Sequence, residues 1–316
     1  MLSFGYNTIQ DYKKEDNMED QMMIKATGLC KSYGRKPVLK DVNFTINKGD
    51  IYGLVGKNGA GKTTIMRILT GLQEPTAGVI DFGYDRRKLG SAGTLIEMPS
   101  IYANQSAEDN LKFQYLNLGL KFDNSIKEIL ELVGLQYTGS KKAGKFSLGM
   151  RQRLGIAIAM VGDPEVLVLD EPINGLDPQG IIEVRDLLLK LNREKGITIV
   201  ISSHILSELA KLATRFGFID DGHMIRECTT YDIEHAGEKL MIIKCDKLQE
   251  YNSLLNARGF TSELISNPDK VTIHGEVDII DIAMIARDAQ IKITDLRTVE
   301  TNLEEFYVDV VGGSQK

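Results

Sequence analysis

The chain has 316 residues, 42% of them hydrophobic and 26% charged, which is enough to bury one large core or two modest ones. Its net charge of −6 argues against a nucleic-acid binder that works through a broad basic surface, and the short run Arg86 to Lys88 fits a solvated loop better than a binding patch. The three cysteines are widely spaced and have no CxxC partner, which favours a reducing compartment and no zinc site. No apolar run approaches the roughly 18 residues that a membrane-spanning helix needs.

The N-terminal part is predicted to begin with an extension and two strands. Residues 1 to 21 are polar and charged and lack the apolar core of a secretory signal, so we expect a loosely held extension. Met22 to Tyr33 is predicted to be an edge strand, and Val42 to Ile46 alternates apolar and polar residues like a half-buried strand. Tyr33 leaves two interpretations open: its ring stacks on a nucleobase, or it is an ordinary sheet tyrosine.

The stretch Ile51 to Thr70 is an apolar strand, a glycine-rich loop and an amphipathic helix. The loop fits G-x-x-x-x-G-K-[ST] in the strand-then-helix context of a phosphate-binding loop. A turn that needed glycines only for its shape would not require the Lys-Thr pair. We expect Lys62 to reach the β- and γ-phosphates of a nucleoside triphosphate, and the Thr63 hydroxyl to complete a Mg²⁺ shell. The predicted nucleotide-binding residues of this loop are Gly56, Asn58, Gly59, Ala60, Gly61, Lys62, Thr63 and Thr64.

A turn-rich segment with two short strands is predicted next, followed by helices. Gly78 to Asp81 and Thr94 to Ile96 are the strands, and Glu97 follows the second one directly. Ser106 precedes an acidic first turn and an apolar-periodic run, which predicts a capped helix that reaches Leu118.

Two more helices are predicted before the next strand. Ser125 with Glu128 repeats the capping-box pattern and indicates the start of a second helix. Leu148 to Val161 has apolar residues at helical spacing and predicts a third. We therefore expect a helical insert over about residues 97–161.

Carboxylates follow a strand that is expected to be central. Val166 to Leu169 is wholly apolar, as in a parallel strand buried on both faces, and it runs directly into Asp170 and Glu171. Ligands gather at the carboxyl ends of such strands. The two acids are either salt-bridged surface residues or catalytic groups, and the phosphate-binding loop favours the second interpretation. Asp170 would then hold Mg²⁺ through water, and Glu171 would polarise the attacking water.

The sequence then predicts a helix, a strand and a candidate histidine. Pro178 to Lys195 is the helix, ended by a glycine, and Thr198 to Ser202 is a buried strand. His204 follows that strand, beside the expected position of Asp170 and within reach of a γ-phosphate. The remaining histidines are given no functional role; they are His223, His235 and His274.

Beyond Thr230 the motifs stop. The pattern predicts strand, helix, strand, strand, helix, strand, which is a ferredoxin-like order, and Leu303 to Val310 is predicted to close the chain as an amphipathic helix. Nothing here indicates chemistry, so an interaction or dimer-stabilising domain is expected, with ligand sensing as the alternative. The six predicted elements are Lys239 to Cys245, Lys247 to Arg258, Thr261 to Ile265, Val271 to His274, Asp278 to Ala289 and Ile291 to Leu296.

From about Ile24 to Arg226 the residues resemble the ATPase subunit of an ABC transporter. The segment Phe146 to Arg153 occupies the position of the family's LSGGQ signature, where Ser147 and Gly149 match and three other positions depart. The resemblance implies that these two residues bind nucleotide presented by another subunit, through a hydroxyl and bare backbone N–H groups at a helix N-terminus.

The same resemblance assigns further roles. It implies that Tyr33 stacks on adenine, that Gly175 to Asp177 is the D-loop, and that His204 is the switch histidine. Glu97 stands where the family usually has the Q-loop glutamine, and its carboxylate is expected to contact Mg²⁺ or its water. Lys62, Glu171 and His204 are the predicted catalytic residues.

The resemblance also implies a fold and a domain organisation. The expected fold is α/β, with a P-loop NTPase (RecA-like) core that carries an antiparallel β subdomain and a helical insert. A small C-terminal α+β, ferredoxin-like domain follows. The expected boundaries are 1–21 for the extension, 22–229 for the ATPase domain and 230–316 for the accessory domain.

The implied function is ATP binding and hydrolysis with Mg²⁺, at the cytoplasmic face of the cell membrane. In three features the chain is similar to the branch that exports bacitracin and lantibiotics or gives self-immunity. These features are Glu97, the degenerate signature and the appended small domain. Integral membrane permease subunits are the expected partners, together with a second ATPase subunit in a homodimer or heterodimer. The alternative is a soluble ABC-type ATPase that acts on ribosomes or DNA. One phosphate-binding loop, and no heptad coiled coil between Lys62 and Phe146, argue against it.

Overall fold

The computed structural model describes residues 21–121, 124–236, 240–266, 269–275 and 277–299. The predicted N-terminal extension, apart from Gln21, lies outside these ranges, as does the predicted closing helix over Leu303 to Val310. Among the described helices, none combines the length and the apolar character that crossing a bilayer requires.

Strands and helices alternate through most of the described chain. In chain order the strands are β1 (Met22–Tyr33), β2 (Lys36–Asn47), β3 (Ile51–Val55), β4 (Ala77–Phe82), β5 (Ala92–Leu95), β6 (Val166–Asp170), β7 (Thr198–Ser202), β8 (Arg215–Asp220), β9 (His223–Thr229), β10 (Leu240–Cys245), β11 (Ser262–Ser266), β12 (Asp269–His274) and β13 (Ile293–Val299). The helices are α1 (Lys62–Leu69), α2 (Ala107–Asn117), α3 (Ser125–Leu132), α4 (Leu148–Ala159), α5 (Pro178–Lys195), α6 (Leu206–Ala210), α7 (Thr230–Ala236), α8 (Leu248–Ala257) and α9 (Ile279–Asp288), with a short 3-10 helix at Ala143–Lys145.

The largest sheet has six strands in the order β5-β6-β7-β3-β8-β9. All neighbouring pairs are parallel except β8 and β9. Strands β3, β6 and β7 are buried along their whole length, as their uninterrupted apolar sequences predict for parallel strands covered on both faces. The carboxyl ends of β3, β6 and β7 therefore meet at one edge of the sheet.

Alternate residues of the central strands enter two different cores. Val166 and Val168 of β6 face a cluster that includes α1 and the first strands of the chain. Leu167 and Leu169 face the opposite cluster, which includes the helical insert and α5. This alternation follows from the two-residue period of a strand, and it fixes α1 on the same face as the even-numbered residues of β6.

A second, antiparallel sheet has three strands in the order β2-β1-β4. The prediction that Met22 to Tyr33 is an edge strand is wrong, because β1 lies in the middle of this sheet, paired with β2 on one side and β4 on the other. A half-buried alternating pattern is the same for an edge strand and for a central strand of a one-sided sheet. The partner that decides between them, β4, is remote in sequence.

The helical insert contains α2, α3 and α4. Helix α2 starts with the predicted capping box: the Ser106 hydroxyl accepts a hydrogen bond from the Asp109 N–H at 3.1 Å, and the Asp109 carboxylate accepts one from the Ser106 N–H at 3.4 Å. The bond from the Ser106 hydroxyl lowers the pKa of Asp109. The second predicted capping box is wrong. Ser125 is already inside α3, and its hydroxyl bonds the Tyr115 hydroxyl at 2.6 Å.

The C-terminal elements form a separate four-stranded antiparallel sheet in the order β11-β12-β10-β13. They follow the predicted order of strand, helix, strand, strand, helix, strand. The C-terminal elements have their own hydrophobic core. Helices α8 and α9 contribute Tyr251, Leu255, Ile282 and Ile285 to it. The ferredoxin-like assignment and the domain boundary at residue 230 stay predictions.

A half-buried carboxylate lies under the antiparallel sheet. Glu227 Oε1 accepts hydrogen bonds from the Tyr52 hydroxyl at 2.9 Å and from the Thr45 N–H at 3.2 Å. Burial raises the pKa of Glu227 above its ordinary value, and these two bonds together with Arg215 act in the opposite direction. Burial also raises the pKa of Tyr52, so the phenol remains a hydrogen-bond donor.

We expect Glu227→Gln to be more stable than the wild-type protein at neutral pH. The amide keeps an oxygen for Tyr52 and Thr45, whereas the carboxylate is penalised by burial. Because the folded-state pKa is raised, the contribution of Glu227 to stability is fully present below the ordinary glutamate pKa of about 4.3 and is lost as the pH rises through the folded value. The difference in unfolding free energy between Glu227→Gln and the wild type should therefore grow as the pH rises from about 4.3 through the folded-state pKa of Glu227.

Urea unfolding at a series of pH values measures this difference. Circular dichroism is the suitable signal, because the chain has no tryptophan. Glu131→Gln, at an exposed position of α3, is the control and should leave the pH dependence unchanged. Parallel wild-type and Glu227→Gln stability curves would contradict the prediction.

Candidate active site

The loop between β3 and α1 is held in a tight shape by close backbone contacts. A Cβ atom at Gly56 would lie 2.4 Å from the carbonyl oxygen of Ile219, so only glycine fits there. Gly61 has φ +117°, a conformation that side chains disfavour, and it caps α1. The loop therefore presents main-chain N–H groups at the N-terminus of α1, which is an anion-binding arrangement.

Lys62 is the first residue of α1, and its side chain is buried in this loop. Its ammonium group donates to the carbonyl oxygens of Gly56 at 2.6 Å and Lys57 at 3.2 Å. Burial lowers the pKa of Lys62, while Glu171 and Asp170 act in the opposite direction. The ammonium group thus contacts the loop and is influenced by the charges of the acids that follow β6. From this position it could bind a phosphate held by the loop.

Thr63 and Asp170 are brought together as the sequence predicts. The Thr63 hydroxyl donates to Asp170 Oδ2 at 2.7 Å, and the Ser202 hydroxyl donates to Asp170 Oδ1 at 2.5 Å. Hydroxyl and carboxylate oxygens are the hard ligands that Mg²⁺ prefers. Within the described ranges no cluster of three or more His, Cys, Asp and Glu side chains is suited to a metal. The hydroxyl oxygen of Thr63 and the carboxylate oxygens of Asp170 fit Mg²⁺, and these two residues would hold it beside the phosphates of a bound nucleotide.

Glu171 and His204 contact each other at the carboxyl edge of the six-stranded sheet. His204 Nδ1 lies 2.7 Å from Glu171 Oε2, and the His204 N–H donates to the same oxygen at 3.3 Å. Glu171 has φ +50°, the left-handed region that non-glycine residues seldom adopt. Its N–H donates to the Ser202 hydroxyl at 2.9 Å. The sequence predicts functional roles for Asp170 and Glu171, whereas it predicts Ser202 only as the last residue of a strand.

A cavity of about 340 Å³ opens between the loop and these acids. Tyr33 lies at its rim with 44% of its surface exposed, and its hydroxyl bonds the Gln73 side-chain oxygen. Gly56 and Ala60 are not part of the lining, and Ala60 is buried behind the loop. The lining residues are Tyr33, Val38, Asn58, Gly59, Gly61, Lys62, Thr63, Thr64, Arg67, Asp170 and Glu171.

The predicted signature residues are not brought to this cavity. Ser147 is exposed and caps α4, where its hydroxyl accepts from the Met150 N–H at 3.2 Å. Gly149 lies in the first turn of the same helix, close to Gly180. A single chain therefore leaves Ser147 and Gly149 outside the lining of its own loop cavity.

Glu97 lies near the cavity but does not line it. Its carboxylate forms an ion pair with Arg67, whose side chain does line the cavity. The backbone of Glu97 has φ +65°, so it turns sharply at the end of β5. The expected contact of Glu97 with Mg²⁺ therefore stays a prediction, and the structure pairs Glu97 with a cation of α1.

A glycine-rich loop with a buried lysine, a hydroxyl-carboxylate pair and a second carboxylate beside a histidine define a P-loop nucleoside triphosphatase. The family model described as ABC transporter matches residues 39–174, and one described as AAA domain, putative AbiEii toxin, Type IV TA system matches residues 142–210. The chain is 38% identical to the bacitracin transport ATP-binding protein BcrA of Bacillus licheniformis, over 92% of this chain and 98% of that protein. The chain thus belongs to the family of ABC transporter ATP-binding proteins.

Further comparisons agree with this assignment. The lantibiotic transport ATP-binding protein SrtF of Streptococcus pyogenes is 49% identical over 65% of this chain and 90% of that protein. A solved dimeric ATP-binding cassette, in a post-hydrolysis state with ADP and Pi bound, is similar with 25% identity and a TM-score of 0.58, over 66% of this chain and 99% of that one. The predicted family and P-loop NTPase fold are confirmed. The protein is an ATP-binding, ATP-hydrolysing subunit of an ABC transporter.

We expect Lys62→Ala to bind ATP about 10- to 100-fold more weakly, which is the usual cost of losing a charge-assisted hydrogen bond. Titration with a fluorescent ATP analogue measures the affinity, and circular dichroism verifies that the variant is folded. Lys57→Ala is the matched control, because this lysine is in the same loop but its side chain is exposed. Equal affinities for Lys62→Ala and Lys57→Ala would remove Lys62 from the phosphate site.

Proposed function

We propose that the chain drives the export of a peptide antibiotic, a lantibiotic or another hydrophobic compound through separate membrane subunits, at the cytoplasmic face of the cell membrane. The observation that carries this proposal is the match to a bacitracin transport ATP-binding protein over 92% of the chain, which includes the C-terminal part beyond the ATPase motifs. The similarity to a lantibiotic transport ATP-binding protein supports the same substrate class. An ATPase that acts on ribosomes or DNA is not favoured, because the named relatives are transport proteins.

The working unit is a head-to-tail dimer of ATPase subunits, homomeric or heteromeric. ATP lies in the cavity beside Lys62 and meets Ser147 of the partner subunit. Two observations support this: Ser147 and Gly149 lie outside the cavity of their own chain, and a similar solved cassette is dimeric. The exposed N-terminus of α4 offers N–H groups and a positive dipole end, which suit the γ-phosphate of a facing subunit.

Each residue of one site has a separate role in ATP hydrolysis. The amides of the loop and the Lys62 ammonium hold the phosphates, and Thr63 with Asp170 would hold Mg²⁺. When bound, this cation neutralises charge that develops on the transferred phosphoryl group. Glu171 orients and polarises the attacking water, and His204 holds the Glu171 carboxylate through the 2.7 Å contact. Tyr33 at the cavity rim is placed to stack on the adenine ring.

A groove between the six-stranded sheet and the helical insert is the proposed docking site for the membrane subunits. It has a volume of about 630 Å³ and lies beside the segment from Glu97 to Leu111. Its rim exposes large apolar side chains, with Met98 69% and Tyr102 54% exposed. Exposed apolar rims of this kind suit a partner's apolar side chains. The groove is lined by Leu72, Thr94, Leu95, Ile96, Met98, Pro99, Ser100, Ile101, Tyr102, Asn110, Gln114, Asn117, Gly155 and Ile158.

Closure of the dimer links hydrolysis to transport. ATP stabilises the closed pair because it contacts both subunits at once, and its hydrolysis removes that differential binding. The groove is lined by β5 of the sheet that carries Asp170 and by α4, whose N-terminus faces the ATP of the partner subunit, so movement of the subunits is passed to whatever occupies the groove.

Glu171→Gln is expected to lower ATP turnover by about 100-fold or more, which is the usual contribution of a positioned general base. The variant should also form a dimer that depends on ATP, because it binds nucleotide without consuming it. Phosphate release measures the turnover and gel filtration measures the mass. Glu194→Gln, an exposed acid near the end of α5, should behave like the wild type. Wild-type turnover by Glu171→Gln would exclude the proposed role.

Met98→Arg should abolish most of the co-purification of an integral membrane protein from detergent extracts of the native cell, a loss of about tenfold or more for an apolar anchor of an interface. Basal ATP turnover should stay unchanged, because Met98 does not line the nucleotide cavity. Leu89→Arg is the matched control, as Leu89 is 59% exposed and does not line the groove. Equal recovery of the membrane protein with both variants would argue against the groove.

A further inference from the structure

We infer that Ser202 is a positioning residue that fixes Asp170 and Glu171 relative to each other. The inference deepens the proposed function and rests on the roles given there to these two acids. Ser202 does not itself line the cavity, so it would act only through Asp170 and Glu171, which do line it.

The strand register places Ser202 opposite Asp170. Strands β6 and β7 are parallel neighbours, and Asp170 and Ser202 are the last pair in their register. Both residues therefore lie at the carboxyl edge of the sheet, on the face that packs against α1. The Ser202 side chain has no exposed surface and Asp170 keeps 4%, so water does not compete for the contact between them.

The chemistry of the contacts gives the Ser202 hydroxyl one orientation. A hydroxyl has one proton to donate and lone pairs to accept with. The carboxylate oxygen of Asp170 is the acceptor of its contact with Ser202, and the backbone N–H of Glu171 can only donate. The proton therefore points at Asp170 Oδ1, at 2.5 Å, while the oxygen accepts from Glu171 at 2.9 Å. The Thr63 hydroxyl holds the other oxygen of Asp170 at 2.7 Å, so the carboxylate is fixed from two sides.

Glu171 needs this support because its backbone is in an unfavourable conformation. Its φ of +50° is the left-handed region, which a glutamate leaves unless surrounding contacts hold it there. The bond that its N–H donates to Ser202 is one such contact, and the bond that its carboxylate accepts from the His204 N–H is another. Loss of the Ser202 hydroxyl would remove one holding contact from the backbone of Glu171 and one from the carboxylate of Asp170 at the same time.

The next serine along the chain does not share this position. The Ser203 hydroxyl accepts from the Ile205 N–H at 3.0 Å and contacts the Ile205 carbonyl oxygen at 3.5 Å. At the other end of β7, the buried Thr198 hydroxyl accepts from the Gly49 N–H at 3.0 Å. Thr198 therefore offers a buried hydroxyl on the same strand, remote from both acids, as a control for general packing effects.

The test compares Ser202→Ala, Ser202→Cys and Ser202→Thr with Thr198→Val in the full-length protein. We expect kcat for ATP to fall about 10- to 100-fold in Ser202→Ala, as for other small misplacements of reacting groups, with KM little changed. The Mg²⁺ concentration that half-saturates binding of a fluorescent ATP analogue should rise several-fold, a readout that does not depend on turnover. Ser202→Thr, which keeps the hydroxyl, should recover most of both.

The controls separate this role from packing. Ser202→Cys keeps the shape of the side chain but replaces the hydroxyl by a weak hydrogen-bond donor, so it should behave like Ser202→Ala. If circular dichroism shows that Ser202→Ala does not fold, Ser202→Cys tests the inference in its place. Thr198→Val should leave kcat and the Mg²⁺ dependence near wild type. A wild-type kcat and Mg²⁺ dependence in Ser202→Ala, or an equal loss in Thr198→Val, overturns the inference.

Asp170→Asn and Glu171→Gln, measured in parallel, distinguish failure of this inference from failure of the proposed roles of Asp170 and Glu171 on which it rests. If both are inactive while Ser202→Ala is normal, only the role of Ser202 fails. If Asp170→Asn and Glu171→Gln turn over ATP like the wild type, the proposed roles of the acids fail, and the role of Ser202 fails with them.

Discussion

The candidate active site depends on one carboxylate held from two elements that are far apart in sequence. Asp170 ends β6, and its oxygens accept hydrogen bonds from Thr63 at the start of α1 and from Ser202 at the end of β7. These two bonds join the phosphate-binding loop to the central sheet. Because Asp170 is almost wholly buried, the position of each element is fixed by the others, and the loop cannot shift without disturbing the sheet edge.

Local chemistry made much of the molecule predictable. The bounds of β1, α5 and β7 were predicted as observed, since each is set by nearby residues: a run of strand formers, a proline at the first helical position, a terminal glycine. The phosphate-binding loop was predictable for the same reason. The position of Gly56 against Ile219 and the pairing of Thr63 with Asp170 then follow from the fold that such a loop requires.

The errors and omissions concern contacts between remote residues. The central position of β1 depends on β4, and the hydroxyl of Ser125 is used by Tyr115 of the preceding helix instead of by a cap. The position of Ser202 depends on the register between β6 and β7. A pattern of residue types along the chain does not contain strand order or register, so these features became visible only in three dimensions.

The ion pair between Arg67 and Glu97 has a consequence for communication within the molecule. Arg67 lines the nucleotide cavity, while the residues on either side of Glu97, Ile96 and Met98, line the groove. The ion pair thus lies between the nucleotide cavity and the groove. If the Arg67 guanidinium moved towards a bound phosphate, or an occupant of the groove displaced the Glu97 carboxylate, this ion pair would be broken, so the pair provides a direct electrostatic link between the two cavities.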